Sequence, residues 1–571
     1  MEDYKARYAE WLEKCDDPEL KNELLSVKGQ DDEILDRFYT KLKFGTAGLR
    51  GVLGAGTNRM NIYTINQASQ GIADYLNATY EKPTVAIAYD SRINSDIFAK
   101  ETACVFAANG IKAYIYKELV PTPMLSFAVR RLKCSSGVIV TASHNPAEYN
   151  GYKCYDPEGY QMTDKSAACA YEYIEKVELF GGPKHIDFED GLESGMIEYI
   201  SDEIYEEFFD LVESRVLNPG ACKEAGLKVI YTPLNGAGNK PVRKILNRIG
   251  IENVKVVPSQ EKPDGHFPTC PYPNPEIRQA FNESFKVAES YDADLLLATD
   301  PDCDRMGIAV KDGDTYRLMT GNEVGALFTQ YVLSQYKERD IMPENPIVVE
   351  SIVTTDLVGA IAADYGVSIK KTLTGFKYIG EIITELEKKG LEDNYIIGME
   401  ESYGYLLGIH ARDKDAVVAS QLVCEMASYY KLQGKSLIDV MDGIYEKYGS
   451  YINRVESFQF KGAAGMEKMK KIMAELRKNQ PKSIAEEKIL KVVDFSDGTI
   501  KDCETGEITE TGLPSSNVIS FKLPSNNSVV VRPSGTEPKI KVYITATANG
   551  FPEAEKMYNR LLETAKTWME V

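Results

Sequence analysis

No uninterrupted run of about 18 apolar residues occurs in this 571-residue chain, so no segment reads as a membrane-crossing helix. Nor does the N-terminus read as a secretion signal. The opening residues MEDYKARYAEWLEKC carry mixed charge and no apolar stretch, which reads as an amphipathic helix and places the chain in the cytoplasm. The ten cysteines are scattered, with no C-x-x-C pair to hold zinc or run dithiol chemistry, and are expected as reduced thiols. Basic excess is also absent: a formal net charge of −20 repels a nucleic-acid backbone, which calls for a basic face. Small anionic substrates stay open, because a local cluster of Lys and Arg overrides the global field at short range. No G-x-S-x-G surrounds Ser143, which argues against an α/β-type serine hydrolase, and no G-x-x-x-x-G-K-[ST] occurs, which argues against a nucleotide P-loop. Low-complexity tracts and strict short repeats are not found.

What the chain does contain is a succession of β-branched runs, each ending in a polar or Gly-rich turn and followed by a helical pattern. TVAIAYDSR (84–92), GVIVTASHNP (137–146), LKVIYTPLNGAG (227–238), ADLLLATDPDCDR (293–305), PIVVESIVTTD (346–356) and NYIIGMEESYG (394–404) have this form. It is the pattern of α/β layers, and the spacing fits three such units. Beyond them NVISFKL, SVVVRPSGTEP and KIKVYITATA read as hairpin-linked strands closed by a helix from about Pro552 to Met569, a smaller α+β domain. At about 150 residues per domain, a chain of this length makes roughly four.

Four loops carry chemistry. In ATDPDCDRMG, Asp300, Asp302 and Asp304 alternate directly after an apolar run, so their carboxylates can converge on a hard cation. A calcium loop would need Gly and Glu where Arg305 and Lys311 stand, which favours Mg²⁺; an acidic turn in solvent is the plain alternative. In VTASHNPAEYNGYK, Ser143 sits beside His144, one of only four histidines, with Lys153 ten residues on. Alone, Ser143 reads as a helix cap; beside a metal and cations it suits phosphoryl transfer. Arg532, Ser534, Gly535 and Thr536 in VVVRPSGTEPKI have the composition of a phosphate cradle, or of an ordinary hairpin turn. Glu400 and Ser402 in GMEESYGYLLG can accept from and donate to sugar hydroxyls, and Arg412 and Lys414 follow as partners for an anion. Glu400 and Glu401 do not make a glycosidase pair, because neighbours at a strand end point to opposite sides.

Taken together, TASHNP, DPDCDR, EES and RPSGTEP resemble, in order, the four active-site loops of the α-D-phosphohexomutase family. KFGTAGLRG (43–51) and PDGHFPTCPYPNPE (263–276) are similar to that family's N-terminal and second-domain segments, so the likeness spans nearly the whole chain. The resemblance implies a heart-shaped protein of three similar α/β mixed-sheet domains and a C-terminal α+β domain of TATA-binding-protein type, bounded at 1–203, 204–315, 316–447 and 448–571. It implies a phosphoglucomutase activity that interconverts glucose 1-phosphate and glucose 6-phosphate through phosphorylated Ser143 and a glucose 1,6-bisphosphate intermediate, with phosphomannomutase activity alongside. Ser143, Asp300, Asp302 and Asp304 would hold Mg²⁺, and Arg50, His144, Lys153 and Arg305 would surround the transferred group. Gly375, Phe376, Glu400, Ser402 and Lys414 would meet the sugar, and Arg532, Ser534, Gly535 and Thr536 the non-reacting phosphate. Where some bacterial members place a histidine after the sugar-contacting pair, this chain has Gly404 or Tyr405, so that histidine's role does not carry over. GMEESYGYLLG with RDKDAV looks closest to a branch that also holds phosphopentomutases. A phosphopentomutase or sugar-bisphosphate synthase is therefore the nearest alternative, and a non-catalytic sugar-phosphate sensor a more distant one.

Overall fold

The apolar runs read from the sequence are strands, and the antiparallel strands that return beside them are the ones it hid. The computed structural model describes residues 4–45, 48–460, 462–534 and 539–570. Thr46 and Ala47 of KFGTAGLRG, and Gly535 and Thr536 of the RPSGTEP loop, lie outside the described residues. The chain divides into two compact units, Met1–Gly321 with Phe376–Ser436, and Asn322–Gly375 with Leu437–Val571.

The first unit holds two mixed sheets. One runs β1-β5-β4-β2-β3-β6, from β1 (Leu49–Val52), β2 (Thr84–Tyr89), β3 (Lys112–Ile115), β4 (Ser136–Val140), β5 (Tyr149–Tyr155) and β6 (Ile197–Tyr199). The other runs β11-β10-β9-β7-β8, from β7 (Lys228–Thr232), β8 (Asn253–Val256), β9 (Leu295–Thr299), β10 (Met306–Asp312) and β11 (Thr315–Met319). In each, a parallel set ends on one strand, β4 or β9, whose next neighbour returns antiparallel. The pair Tyr395–Glu400 and Gly404–Leu407 repeats the same return. Every residue of β4, of β9 and of Tyr395–Glu400 is buried, as expected of strands covered on both faces, and this is why they read as unbroken apolar runs. β5 was harder to read because its two faces differ. Tyr152 and Cys154 join the core around Ile65, Val85 and Phe106, whereas Lys153 and Tyr155 point the other way.

Three helices, Tyr4–Lys14, Pro18–Ser26 and Asp31–Phe38, precede β1 and pack Trp11, Leu24 and Phe38 against Tyr63 and Phe180. The second unit has a parallel pair, Ile347–Ser351 with Ser368–Thr372. It also has an antiparallel sheet in the order Ser450–Gln459, Lys539–Ala548, Ser528–Pro533, Ile519–Lys522, Lys491–Asp494, Thr499–Asp502, Ile508–Glu510. Helices Gly462–Lys478 and Phe551–Trp568 cover it through Met469, Ile472, Tyr558 and Leu561, which gives the expected C-terminal α+β arrangement. No helix among the described residues is long and apolar enough to cross a membrane, and all ten cysteines are free thiols.

Candidate active site

Each antiparallel return in the first unit leaves a short loop at the strand's carboxyl end, where α/β sheets present ligand sites. All three loops turn on a non-glycine residue in the left-handed region: Ser143 (φ 52°), Cys303 (φ 50°) and Tyr403 (φ 65°). Such a conformation costs on the order of 1 kcal/mol or more and persists only where surrounding bonds over-determine it.

The bonds around Ser143 do so. Its N–H donates to Thr141 Oγ1 at 2.8 Å, and its carbonyl accepts from Arg92 Nη2 at 2.6 Å. The hydroxyl that remains donates to Asp300 Oδ2 at 2.7 Å and lies 3.2 Å from His144 Nδ1. Ser143 is therefore no helix cap. Residues 143 and 300, which the sequence reading needed to meet, are in direct contact. His144 stacks edge-on against Tyr272, and burial, then Arg305 and Arg50, push its imidazole well below the usual range. Arg50, on β1, donates to Asn145 Oδ1 at 3.2 Å on the same loop.

Asp300, Asp302 and Asp304 are fully buried or nearly so, and one carboxylate oxygen from each lies within 4.8 Å of the others. Asp300 Oδ1 accepts the N–H groups of Asp304 and Arg305, which closes the loop on itself. Asp302 Oδ2 accepts from Lys153 Nζ at 2.9 Å and Thr122 Oγ1 at 3.0 Å, and Asp304 Oδ2 lies 3.1 Å from Lys414 Nζ. Burial and the two neighbouring carboxylates push Asp300 well above the carboxylate range. Burial opposes Asp302 as well, but Lys153 outweighs it and holds that carboxyl low. Asp302 Oδ1 and Asp304 Oδ1 are buried and accept no hydrogen bond among the described residues. Orphaned, mutually repelling carboxylate oxygens in one place fit a hard divalent cation, which binds oxygen ligands and relieves both costs. The buried acidic cluster is thus compatible with a metal site.

Cations close the ring. Lys153 comes from β5, on the face opposite the core; two residues on, Tyr155 donates to Asp413 Oδ2 at 2.7 Å, and Asp413 Oδ1 accepts from Lys414 at 3.1 Å. Burial works against the Lys414 ammonium, yet Asp304, Asp413 and Glu400 raise it, so it stays charged. Arg305 pairs with Glu276; Glu276, Asp304, Asp300 and Glu400 together more than offset its burial. Glu400 ends its strand buried opposite Gly404, and Ser402 lies half-buried in the turn. Gly404 lies tight against Lys414: a Cβ there would meet Lys414 Cδ at 2.2 Å, so the lysine side chain would have to shift. Phe376 is buried at the start of helix Phe376–Lys388, with Lys414 Nζ 5.7 Å from its ring centre.

Other expected residues fall elsewhere. Arg412, read as a partner for an anion, is fully buried and committed to Glu387 Oε2 at 2.8 Å, to Thr384 Oγ1 and to the carbonyls of Ile409 and Ala411. Gly375 (φ 120°), Arg532 and Ser534 belong to the second unit, where Ser534 N–H donates to Lys539 O at 2.8 Å. The sequence reading passed over Arg92, Thr122, Thr141, Tyr155, Glu276 and Asp413. Arg92, Thr141, Glu276 and Asp413 stand inside stretches singled out for other reasons, whereas Thr122 and Tyr155 gave no local signal.

Comparison with known proteins identifies the family. The chain matches the phosphoglucomutase/phosphomannomutase alpha/beta/alpha domain I over residues 41–179, domain II over 206–313, domain III over 320–448 and the C-terminal domain over 467–550. It is 35% identical to a phosphoglucomutase of Staphylococcus epidermidis over 545 residues, 95% of this chain and 97% of that protein. It is 34% identical to a phosphoglucomutase of Staphylococcus aureus over 554 residues, 97% of this chain and 98% of that protein. In fold it is similar to parafusin, an exocytosis-sensitive phosphoprotein and phosphoglucomutase of Paramecium (TM-score 0.69, 16% identity, 93% of this chain and 95% of that one). It is likewise similar to a phosphoglucomutase/phosphomannomutase family protein of Burkholderia thailandensis (TM-score 0.67, 16% identity, 92% and 96%). With four successive domain matches in family order and curated relatives aligned along nearly its whole length, the chain belongs to the phosphoglucomutase/phosphomannomutase family.

Proposed function

We propose that this protein is a cytoplasmic mutase that interconverts glucose 1-phosphate and glucose 6-phosphate, and accepts the mannose phosphates, through a phosphoserine at residue 143. One observation carries the reading: the Ser143 hydroxyl lies 2.7 Å from Asp300 inside a buried set of three aspartates. The four domains are assigned to 1–203, 204–315, 316–447 and 448–571. Asp300, Asp302 and Asp304 would hold Mg²⁺ with an oxygen of the Ser143 phosphate, and the ion would supply neutralisation of phosphoryl charge.

The chain's own groups do the rest. Phosphorylated Ser143 gives its phosphoryl group to a sugar monophosphate hydroxyl: the bond from phosphorus to Ser143 Oγ breaks, the bond to the sugar oxygen forms, and the hydroxyl proton passes by way of Lys153 to the departing Ser143 oxygen. The resulting glucose 1,6-bisphosphate turns end over end, and its other phosphoryl group returns to Ser143. Lys153 is assigned the proton transfer, while Arg50, His144 and Arg305 surround the moving group and the two arginines neutralise it, which in phosphoryl transfer is most of what catalysis requires. Glu400, Ser402, Lys414, Gly375 and Phe376 are assigned to the sugar, and Arg532, Ser534, Gly535 and Thr536 to the phosphate that does not react. Phosphomonoesters hydrolyse extremely slowly unaided, so a serine phosphate persists until a sugar is aligned with it.

The test is purified protein with Mg²⁺ and a trace of glucose 1,6-bisphosphate, assayed on glucose, mannose and ribose 1-phosphates, with intact mass and peptide mapping. Turnover of the hexose phosphates and one phosphoryl group on Ser143, absent from Ser143→Ala, is expected. Preference for ribose 1-phosphate overturns the choice of sugar, and an inactive, unmodified protein overturns the reading.

A further inference from the structure

Four backbone carbonyls of the Ser143 loop point inward at one guanidinium. Arg92, whose side chain is wholly buried, donates from Nη2 to the carbonyl of Ser143 at 2.6 Å and to that of Asn145. Its Nη1 donates at 2.9 Å to the carbonyls of both Pro146 and Tyr149. Converging carbonyl dipoles repel, and buried acceptors left unpaired are costly, so the loop shape is untenable without a donor at its centre. Only arginine carries five donors in a rigid planar fork. The fork is itself pinned. Asp90 lies 3.6 Å from Nε, and the Phe267 ring lies 5.1 Å from the guanidinium carbon. The chain around Phe267 packs so tightly against residues 91–93 that a Cβ on Gly265 would sit 2.4 Å from Ile93 N. A second arm comes from the same aspartate: Asp90 Oδ2 accepts from Thr141 Oγ1 at 2.6 Å, and Thr141 Oγ1 accepts the Ser143 N–H at 2.8 Å. Both peptide groups of a residue at φ 52° are thus held from the Asp90–Arg92 pair.

We propose that Arg92, with Asp90 and Thr141 behind it, is the positioning residue that aims the Ser143 hydroxyl at the aspartate cluster. It works as a donor array rather than as a charge, because Asp90 neutralises it. The proposal deepens the mutase reading and rests on it.

Donor number separates the two roles. Arg92→Lys keeps the positive charge but offers three donors on a point, and it is expected to lose kcat about 100-fold, the scale of a 1 Å misplacement, with KM for the sugar phosphate within about threefold. Arg92→Ala is expected to behave likewise and to regain activity in millimolar guanidinium but not in equal ammonium. Thr141→Val, which removes one hydroxyl and little volume, is expected to lose about tenfold in kcat, and it decides the matter should the Arg92 variants fail to fold. Wild-type kcat in Arg92→Lys, or lost activity that guanidinium does not restore together with an unaffected Thr141→Val, overturns the proposal. A wild-type protein inactive on every sugar phosphate would sink the mutase reading instead. Amide exchange over residues 141–149 would then still decide this one: faster in Arg92→Lys supports it, and unchanged overturns it.

Discussion

At the scale of single residues, the site is a balance of buried charges, and such balances fail when one member is removed. Asp304 faces Lys414 at 3.1 Å and Lys153 at 4.0 Å and keeps one oxygen without a hydrogen-bond partner among the described residues. Asp304→Asn keeps the shape but removes the negative charge that both lysines and a cation need. Its Mg²⁺ requirement, read from activity against metal concentration, is expected to rise roughly 100-fold or more, beyond the effect of altering groups one shell further out. Gly404 is the complementary case, where space and not charge decides. Gly404→Ala drives a methyl group into Lys414 Cδ and Cγ, so the lysine is expected to leave Asp304. A loss of about 1–3 kcal/mol in denaturant unfolding is expected, with kcat lowered at least tenfold.

At the scale of elements, the same device recurs: a fully buried strand, a tight loop through one left-handed residue, and an antiparallel return. The strand is legible as an apolar run; the return is not, because YNGYKCY and MGIAVKD mix polar and small residues on faces that only packing distinguishes. The helix Ala416–Lys431 shows how an element end supports the site. Its N-cap Asp415 accepts from Val417 N–H at 2.7 Å and Val418 N–H at 3.1 Å, and its other oxygen meets His410 Nε2 at 2.7 Å in full burial. Asp415→Ala removes the cap and strands the buried His410 imidazole without its carboxylate. A destabilisation of about 3 kcal/mol in urea unfolding is expected, above the usual cost of a lost cap alone.

At the scale of the whole molecule, acid sensitivity reports on the second unit. Burial opposes ionisation of Asp356, but Lys371 at 3.1 Å and Lys522 at 3.2 Å outweigh it and hold the carboxyl at about 2, down from 3.8. A carboxyl whose folded value is depressed stabilises the protein above its unfolded value and loses that contribution as pH falls through the folded one. Wild type is therefore expected to exceed Asp356→Asn by about 2 kcal/mol at pH 7, with the gap closing between about pH 4 and pH 2 in acid-titrated unfolding curves.

The sequence by itself determined the order of strands and loops, the acidic triplet, the serine loop and the family, because periodicity, turn chemistry and motif spacing are local properties of the chain. Only the tertiary structure decided that residues 143 and 300 share a hydrogen bond across 157 positions, that Lys153 faces the carboxylates while Tyr152 faces the core, and that Arg412 is a structural cation. It alone placed Arg92 at the centre of the serine loop. Those facts depend on which faces pack together, and burial and charge pairing between distant segments leave no mark on the residues nearby in the chain.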